Sequence, residues 1–459
     1  MDFHKDAYTV EESTLFGQSI RYRAWRNIPY VDKPVVLEYQ QLNLFAPEAY
    51  FSGESINGYT LATAPVFVPN TVGGYMPGGL DEPQENRRHP GQANTIFRAL
   101  RHGYVVAAPA IRGRSQAGGQ APACIVDYKA VVRWLHYFAC DLPGDTGKII
   151  TNGTSAGGAI SALMGATGDH PDYEPYLQEI GAADASDAVF AASCYCPITN
   201  LDHADMAYEW EFAGIYDYHR KHMRRDEGGR PSFEAIDGEL SELQRKTSQE
   251  LAAAFPAYVN SLELKDETGA PLTLNAQGCG SFKEFVEKTV LESARRAMEK
   301  DVDVSGKAWL TVEAGKPVTM DFSAYARDIT RMKVAPAFDD LPMTSPENNL
   351  FGTPEQPCRH FTEYSAAHSL GDGTIAPARL IKLLNPMYYL ADAAAAKASH
   401  WRIRHGECDR DTSLAISAIL TLKLREYGLP VDYHSPWDTP HSGDYDLDEL
   451  FAWIDGICR

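Results

Sequence analysis

The sequence predicts an α/β protein whose mostly parallel sheet is interrupted by a large helical insertion. Strand-like and helix-like segments alternate up to residue 197 and again from residue 386, which favours parallel strands covered by helices on both faces. Residues 198–385 instead carry long, charged helical patterns and few sheet-type strands. We therefore expect a sheet domain made of 1–197 and 386–459, with 198–385 inserted between its halves as a second, mainly helical domain.

The first half of the expected sheet alternates short apolar runs with helical patterns. Apolar residues recur at helical spacing from Val126 to Phe138, and a small-residue segment that begins at Ala156 also predicts a helix. Between turn residues, strands are expected at 35–44, 66–68, 104–111, 148–152 and 188–195. Runs this short and apolar are typical of strands buried on both faces.

The insertion and the last part of the chain differ in their predicted secondary structure. In the insertion, amphipathic helices are expected at 239–251 and 283–298, and the second has an apolar face made of Val286, Val290, Ala294 and Ala297. After the insertion, strands are expected at 401–404 and 430–434, and helices at 414–427 and 447–457. This return of strand–helix alternation indicates that the sheet is completed by the C-terminal segment.

Composition and charge exclude several classes of partner. The 459 residues include 42 basic and 62 acidic side chains, a net charge of −20, which disfavours binding to nucleic acid over the whole surface. The basic run at 219–230 is predicted to be a solvated loop, because no aromatic residues are interleaved with its charges. No apolar run approaches the ~18 residues that span a bilayer, so no membrane partner is expected.

The N-terminus and the cysteines favour a cytoplasmic location. The segment Met1–Asp6 has neither the basic nor the apolar region of a secretory signal. Eight cysteines are scattered through the chain and are expected to be reduced thiols. Cys194 and Cys196 are too closely spaced for a typical zinc pair, so no metal site is expected.

The sharpest chemical motif is Gly153-Thr154-Ser155-Ala156-Gly157, which matches G-x-S-x-G. An expected strand leads into it and an expected small-residue helix leads out, which is the context of a nucleophile elbow. The glycines permit the tight turn that exposes Ser155 Oγ at the carboxyl end of the strand. The alternative is a glycine-rich strand-to-helix turn without a catalytic role.

A serine nucleophile needs a base and an orienting acid, which follow it in the order Ser, Asp or Glu, His in this architecture. His441 is the favoured base because it lies between the last expected strand and the last helix; the other late histidines are at 400, 405 and 434. Asp409 and Asp411, on the loop after the 401–404 strand, are both candidates for the acid, and position does not choose between them. The alternative for Asp411 is that it caps the following helix.

Two backbone N–H groups should stabilise the oxyanion of the tetrahedral intermediate. One is expected from Ala156, directly after the nucleophile, and the other from the loop 69–75 after an early strand, where Gly73 and Gly74 allow close approach of the backbone. An imidazole base predicts activity that rises with an apparent pKa near ~6.5.

Seven longer strings carry a more specific signal. They are NTVGGY at 70–75, ITNGTSAGGA at 150–159, YCPI at 195–198, HADMAYEW at 203–210, SPENNLFG at 345–352, HWRIRHGECDRDTS at 400–413 and PWDTPHSGDYD at 436–446. Together they resemble bacterial tannases, the tannin acyl hydrolases of the intracellular, lactobacillus-like type. The resemblance extends over almost the whole chain and implies an α/β-hydrolase fold with a large lid at 198–385.

The resemblance also implies an activity and a catalytic set. The expected reaction is hydrolysis of galloyl ester and depside bonds, in hydrolysable tannins and other small polyphenol esters, to gallic acid and an alcohol, with no cofactor or metal. It implies Ser155 as nucleophile, His441 as base and Asp409 as the orienting acid. The N–H groups of Gly74 and Ala156 would form the oxyanion hole.

A second set of residues is implied to bind the gallate ring. Lys333, Glu347 and Asp411 would contact its hydroxyl groups, while Ile198 and Pro346 would flank its faces. Phenolic O–H groups can donate to carboxylates, and an ammonium group can donate to a phenolic oxygen. Without the resemblance, local pattern marks Lys333 and Glu347 only as ordinary surface charges.

Two alternatives to tannase activity are retained. The same elbow and triad could hydrolyse other aromatic esters, such as feruloyl esters, or aliphatic esters. A relative that binds ligands or partners without catalysis is the alternative from another class, and the set Ser155, Asp409 and His441 argues against it.

Overall fold

The computed structural model describes residues 1–87, 89–225 and 231–459, with the backbone alone at 221–225 and 231–233. Its strands, in chain order, are β1 (Thr9–Leu15), β2 (Gln18–Pro29), β3 (Gln41–Pro47), β4 (Pro65–Pro69), β5 (Val105–Pro109), β6 (Asp145–Thr154), β7 (Ala191–Tyr195), β8 (Asp217–Arg225), β9 (Pro231–Glu239), β10 (Leu310–Glu313), β11 (Lys316–Met320), β12 (His400–Arg404) and β13 (Val431–His434). Its α-helices are α1 (Thr95–His102), α2 (Ala123–Tyr137), α3 (Ala156–Ala166), α4 (Glu174–Glu179), α5 (Leu201–Glu211), α6 (Glu242–Ser261), α7 (Ser281–Glu299), α8 (Phe322–Ile329), α9 (Pro346–Leu350), α10 (Glu363–Ala367), α11 (Ala378–Leu383), α12 (Leu414–Glu426) and α13 (Leu447–Cys458).

The main sheet of the described residues has nine strands in the order β1-β2-β3-β5-β4-β6-β7-β12-β13. From β5 to β13 neighbouring strands are parallel, whereas β1, β2 and β3 pair antiparallel and join the rest through an antiparallel β3–β5 contact. The α/β class and the mostly parallel sheet are therefore confirmed. The sequence analysis missed β1 and β2, because β1 alternates polar and partly buried residues and contains no apolar run.

The strand expected at 35–44 is wrong in its first half. Residues Leu37–Tyr39 form a 3-10 helix, and β3 begins only at Gln41. The Gln40 side chain accepts hydrogen bonds from the backbone N–H groups of Val35 and Val36, and donates to Asp127. This buried side chain curls the preceding segment, so its β-rich composition does not produce a strand.

The core lies between the sheet and its helices and continues into the insertion. Helix α3 is buried along its whole length and packs against β6 and β7. Its small residues allow this approach, since a Cβ at Gly165 would lie 2.6 Å from the Trp401 ring. Buried apolar residues of the insertion, such as Phe255, Phe282 and Trp309, belong to the same continuous cluster as those of the sheet.

The insertion contains more β structure than expected. Both amphipathic helices are present as α6 and α7, but the hairpins β8–β9 and β10–β11 accompany them. The basic run expected as a loop lies on β8 as far as Arg225, and His219 pairs across the hairpin with Asp237, 2.8 Å between Nδ1 and Oδ1. Residues 226–230 of that run lie outside the described residues. Among the described helices, none is long and apolar enough to cross a membrane.

The candidate residues gather where the parallel strands end. Strands β6, β7, β12 and β13 lead at their carboxyl ends into the segments that carry Ser155, Ile198, Asp409 and His441. The carboxyl ends of parallel strands meet at one edge of a sheet, which is where open α/β sheets bind their ligands.

Candidate active site

Ser155 occupies a sharp turn between β6 and α3. Its backbone has φ 62° and ψ −123°, a conformation that costs energy for a residue with a side chain. The Ser155 N–H donates to Tyr195 O at 2.9 Å, which anchors the turn to β7. A Cβ on Gly153 would lie 2.3 Å from Gly157 O, so the motif needs glycine there for close approach of two backbones. The geometry is that of a nucleophile elbow.

His441 and Asp409 form a direct pair beside this turn. His441 Nδ1 lies 2.7 Å from Asp409 Oδ2, and Asp409 is buried. The other carboxylate oxygen accepts the backbone N–H groups of Asp411 at 2.8 Å and Thr412 at 3.2 Å. Because Nδ1–H donates to the carboxylate, Nε2 is left as the acceptor. The side-chain hydrogen bonds of the described residues do not include one between Ser155 Oγ and Nε2, a contact that is often long before substrate binds.

The charges around this pair shift both pKa values. Burial raises the pKa of Asp409, but the charge of His441 and the hydrogen bonds to the carboxylate outweigh burial and lower it to about 2. Burial lowers the pKa of His441, yet the charges of Asp409 and Asp411 outweigh it and raise this pKa well above its ordinary value. We therefore expect the acidic limb of the activity profile to lie above the value near ~6.5 of a free imidazole.

The structure distinguishes the two candidate acids. Asp409 faces His441, whereas Asp411 Oδ1 lies 3.0 Å from Lys333 Nζ. The helix-capping alternative for Asp411 is wrong, because Ser413 is the N-cap of α12 and its hydroxyl accepts the N–H of Ala415. The two aspartates thus lie two residues apart with different partners.

The loop after β4 packs against the elbow. Asn70 Nδ2 donates to the carbonyl oxygens of Asn152 at 3.0 Å and Gly157 at 3.1 Å, which ties the start of the loop to the first turn of α3. Further along the loop Gly74 has φ +55°, which favours glycine. Ala156 is the first residue of α3, where a backbone N–H has no partner within its own helix.

Lys333 and Glu347 line the same site from the insertion. The Lys333 ammonium is 3.7 Å from the centre of the Phe338 ring, in addition to its pair with Asp411. Glu347 lies on α9 and is only 5% exposed, so it is not the ordinary surface charge that local pattern indicates. Burial raises the pKa of Glu347, and the nearby charge of Lys333 offsets part of that rise. No side chain of the described residues donates a hydrogen bond to its carboxylate, which leaves an acceptor for a ligand.

Ile198 and Pro346 differ in their burial. Ile198 is buried, its N–H donates to Ser155 O at 3.3 Å, and its carbonyl accepts the Tyr75 hydroxyl at 3.3 Å. Pro346 is exposed and opens α9, one residue before Glu347. The site therefore combines a serine on a strained turn, a carboxylate-paired imidazole, and a polar cluster of two carboxylates and one ammonium group.

Comparison with solved structures decides the family. The chain is 48% identical to a tannase from Lactobacillus plantarum over 100% of its own length and 99% of that chain, with a TM-score of 0.96. The chain belongs to the tannase family. The tannase from Fusobacterium nucleatum is 44% identical, with 100% and 99% of the two chains covered and a TM-score of 0.94.

Other comparisons agree with this membership. A tannin acyl hydrolase solved in complex with ethyl gallate is 48% identical, with 100% and 98% of the chains covered and a TM-score of 0.93. A family model described as BD-FAE matches residues 73–210, which include the elbow. The comparison with curated proteins gives no match. The resemblance to tannases and the α/β-hydrolase fold with an insertion are therefore confirmed.

Sequence reasoning missed three residues of this tannase-family site. Cys196 has φ 35°, and its Sγ lies 3.9 Å from His441 Nε2; ligand atoms of Cys196, Asp409 and His441 lie within 4.8 Å of one another. Arg114 Nε donates to Gly74 O at 2.8 Å, and its backbone N–H donates to Tyr75 O. His405, one of the late histidines that was not favoured as the base, is buried with Nε2 3.5 Å from Asp409 Oδ2.

A local signal existed for only one of the three. Cys196 directly follows a strand at the carboxyl edge of the sheet, where ligand contacts are expected, but it was considered only as a zinc ligand with Cys194. Arg114 lies 40 positions from Gly74, and its contact depends on the path of the chain through the intervening helix and strand. The expectation that this site binds no metal stays a prediction.

Proposed function

We propose that this protein is a serine esterase that hydrolyses galloyl ester and depside bonds to gallic acid and an alcohol. The observation that carries the proposal is the full-length similarity to the tannin acyl hydrolase solved with ethyl gallate. The buried Asp409–His441 pair beside the Ser155 turn, and the buried Glu347 carboxylate near the charge of Lys333, support the same reaction.

The proposed reaction has two steps. His441 Nε2 takes the proton of Ser155 Oγ as this oxygen attacks the ester carbonyl, and the same imidazole then gives the proton to the leaving alcohol. Asp409 holds Nδ1–H at 2.7 Å and stabilises the imidazolium. Water activated by His441 then releases gallate from the galloyl-Ser155 intermediate. The N–H groups of Gly74 and Ala156 donate to the oxyanion in both steps.

Recognition of the ring is assigned to the insertion and the acid loop. Glu347 and Asp411 accept hydrogen bonds from the phenolic hydroxyls, and Lys333 donates to a phenolic oxygen. Ile198 and Pro346 contact the faces of the ring. The buried Glu347 carboxylate receives no hydrogen bond from another side chain among the described residues, so a phenolic O–H of the substrate supplies one, and esters that lack ring hydroxyls should react poorly.

The lid and the cellular location are also proposals. We assign 198–385 as a lid domain over the sheet domain of 1–197 and 386–459, because α9 and Lys333 bring the ring-binding groups to a nucleophile held by the sheet. A cytoplasmic location is supported by the eight cysteines, all of them free thiols. Small polyphenol esters are the proposed partners.

The test measures gallate release from methyl gallate by the wild type and by Ser155→Ala, with methyl benzoate and methyl ferulate as further substrates. We expect the wild type to release gallate, and the folded variant to lose activity by roughly 10⁶-fold in kcat. Methyl benzoate should be a poor substrate, because it donates no hydrogen bond to Glu347.

Other outcomes separate the alternatives. Equal rates on methyl gallate and methyl benzoate would remove the assignment to galloyl esters while leaving a serine esterase. A preference for methyl ferulate would favour the feruloyl alternative. If no ester is cleaved, labelling with a fluorophosphonate followed by peptide mapping decides whether Ser155 is reactive, and an unlabelled Ser155 in folded protein would favour a binding protein.

A further inference from the structure

A second serine–histidine–aspartate relay lies in the insertion, away from Ser155. His360 Nδ1 is 2.7 Å from Asp339 Oδ1, and His360 Nε2 is 2.8 Å from Ser369 Oγ. Asp339 and His360 are fully buried, whereas Ser369 is partly exposed. Such a relay is recognised by geometry and not by the order of its residues in the chain.

The surroundings of Asp339 set the tautomer of His360. Besides the imidazole, the carboxylate receives hydrogen bonds from Asn348 Nδ2 at 2.6 Å, from the N–H groups of Phe361 at 2.9 Å and Thr362 at 2.8 Å, and from Thr362 Oγ1 at 2.8 Å. A carboxylate surrounded by donors acts only as an acceptor, so His360 Nδ1 carries its hydrogen. His360 Nε2 is then the unprotonated nitrogen and accepts the hydrogen of Ser369 Oγ.

The serine end of this relay faces solvent. The Gly371 N–H donates to Ser369 Oγ at 3.0 Å, so the hydroxyl hydrogen is directed at the imidazole while one lone pair of the oxygen remains. The next residue, Leu370, is 64% exposed, and Gly371 is exposed as well. Because Ser369 is partly exposed and the next two residues are exposed, its side chain lies at the surface of the insertion, where a reagent can reach it.

We propose that Ser369 is a second nucleophile, and that it accepts an acyl group from activated aryl esters. The Oγ–carbonyl bond forms as the bond between the carbonyl carbon and the aryloxy oxygen breaks. The proton passes from Oγ to His360 Nε2, and from there to the departing oxygen or to water when the phenolate leaves as an anion. None of the three residues of this relay belongs to the set assigned to the Ser155 reaction.

The same geometry limits what this site does. The Gly371 N–H donates to Ser369 Oγ itself, so it is not available to stabilise the oxyanion that forms on the ester carbonyl. With the nearest N–H used in this way the attack is slow, and hydrolysis of the acyl-serine is slower still, because the serine alkoxide is a poorer leaving group than the aryloxide expelled in the first step. Ser369 is therefore a stoichiometric acceptor, a covalent modification site, and it does not turn over esters.

The test uses full-length Ser155→Ala protein with p-nitrophenyl acetate as the acyl donor. Intact mass and peptide mapping measure acetylation of Ser369 over time. Ser305 is the matched reference, because it is an exposed serine of the same insertion that lies beside Asp303 and has no histidine as a hydrogen-bond partner among the described residues. A general base contributes roughly 10²- to 10⁴-fold, so Ser369 should be acetylated at least about 10²-fold faster than Ser305.

Two further variants in the Ser155→Ala background isolate the relay. Ser369→Ala should remove the acetylated peptide, and His360→Asn should reduce the rate at Ser369 to that of Ser305, because asparagine keeps a donor toward Asp339 but has no Nε2 acceptor. Acetylation of Ser369 within ~10-fold of Ser305 would overturn the proposal, since it is below what a general base contributes. The comparison of Ser369 with Ser305 needs only the Ser155→Ala protein, so it tests the proposal even if His360→Asn does not fold. Because Ser155 is absent, the outcome does not depend on the proposed tannase activity.

Discussion

The two serine–histidine–aspartate relays of this chain are alike in their acids and different at their serines. In both, a buried carboxylate oxygen lies 2.7 Å from an imidazole Nδ1. Ser155 stands on a turn with positive φ and has no hydrogen bond at Oγ among the described residues, whereas Ser369 Oγ is bonded to both His360 and Gly371. His441 is 20% exposed at its side chain and His360 is fully enclosed.

The difference shows which features separate catalysis from simple reactivity. Around Ser155 the chain supplies a glycine loop, the first N–H of a helix and the polar cluster to which we assign ring binding. Around Ser369 it supplies a base but commits the nearest N–H to the serine oxygen itself. A relay increases the nucleophilicity of a serine, while turnover also needs stabilisation of the oxyanion and a bound substrate.

The largest expected effect is on kcat, which should depend strongly on Asp409 and only weakly on Asp339. Asp409→Asn should lower kcat on methyl gallate by about 10⁴-fold, because the amide no longer holds the productive tautomer of His441. The equivalent change at Asp339 should leave kcat within a few fold in protein that remains folded. Steady-state kinetics on both variants, with circular dichroism as a control for folding, measure the contrast. Similar losses of kcat would mean that the relay of Asp339, His360 and Ser369 in the insertion contributes to catalysis.

The second effect is on the free energy of unfolding, and here Asp339 matters more than Ser369. Asp339→Asn should lower the free energy of unfolding by roughly 3 kcal/mol, because a buried carboxylate that receives five hydrogen bonds is replaced by a group with a donor facing other donors. Ser369→Ala should cost less, about 1 kcal/mol, because it removes a single partly exposed partner of His360 Nε2. Urea unfolding of both variants measures this difference, and an Asp339→Asn protein as stable as the wild type would contradict it.

The third effect concerns Glu347, which we propose to bind the ring hydroxyls of a substrate at Ser155. Glu347→Gln should lower kcat/KM on methyl gallate by roughly 10- to 100-fold, the value of a hydrogen bond to a charged group, and should leave methyl benzoate almost unchanged. The control is Glu355→Gln, an exposed glutamate in the same part of the insertion. Equal losses on both esters would mean that Glu347 supports the fold and does not read ring hydroxyls.

The smallest effect is a displacement of the pH profile. His441 must be neutral to accept the serine proton, so kcat/KM rises as the pH rises through its pKa. The charges of Asp409 and Asp411 raise that pKa, and the acidic limb should therefore lie above the ~6.5 of a free imidazole. A profile of kcat/KM on methyl gallate from pH 5 to 9 measures it. A limb at or below 6.5 would show that burial, which lowers the pKa, outweighs the two carboxylates.

Local pattern was sufficient for much of the fold and for the elbow. Strand β4 and helices α2, α3 and α12 were predicted from apolar runs or helical spacing within each segment alone. Ser155 was found because its glycines, the strand before it and the helix after it are adjacent in the chain. His441 followed from the order of elements, since the base in this architecture lies on the last loop of the sheet.

Other parts of the site were not contained in any local pattern. The sequence by itself could not choose between Asp409 and Asp411, because the direction of a loop side chain depends on the groups packed around it. Lys333 and Glu347 were identified only through resemblance to tannases, and the burial of Glu347 became visible only in the tertiary structure.

What the sequence determined about this protein is its backbone class, the split of the sheet by an insertion, the nucleophile turn and the order in which base and acid follow it. Only the tertiary structure decided which aspartate meets His441, that Cys196 and Arg114 adjoin the site, and that Asp339, His360 and Ser369 meet in the insertion. The physical reason is the range of the interactions. Hydrophobic period and turn chemistry act over a few residues, whereas a hydrogen bond between side chains 21 or 32 positions apart exists only once the core has brought their backbones together.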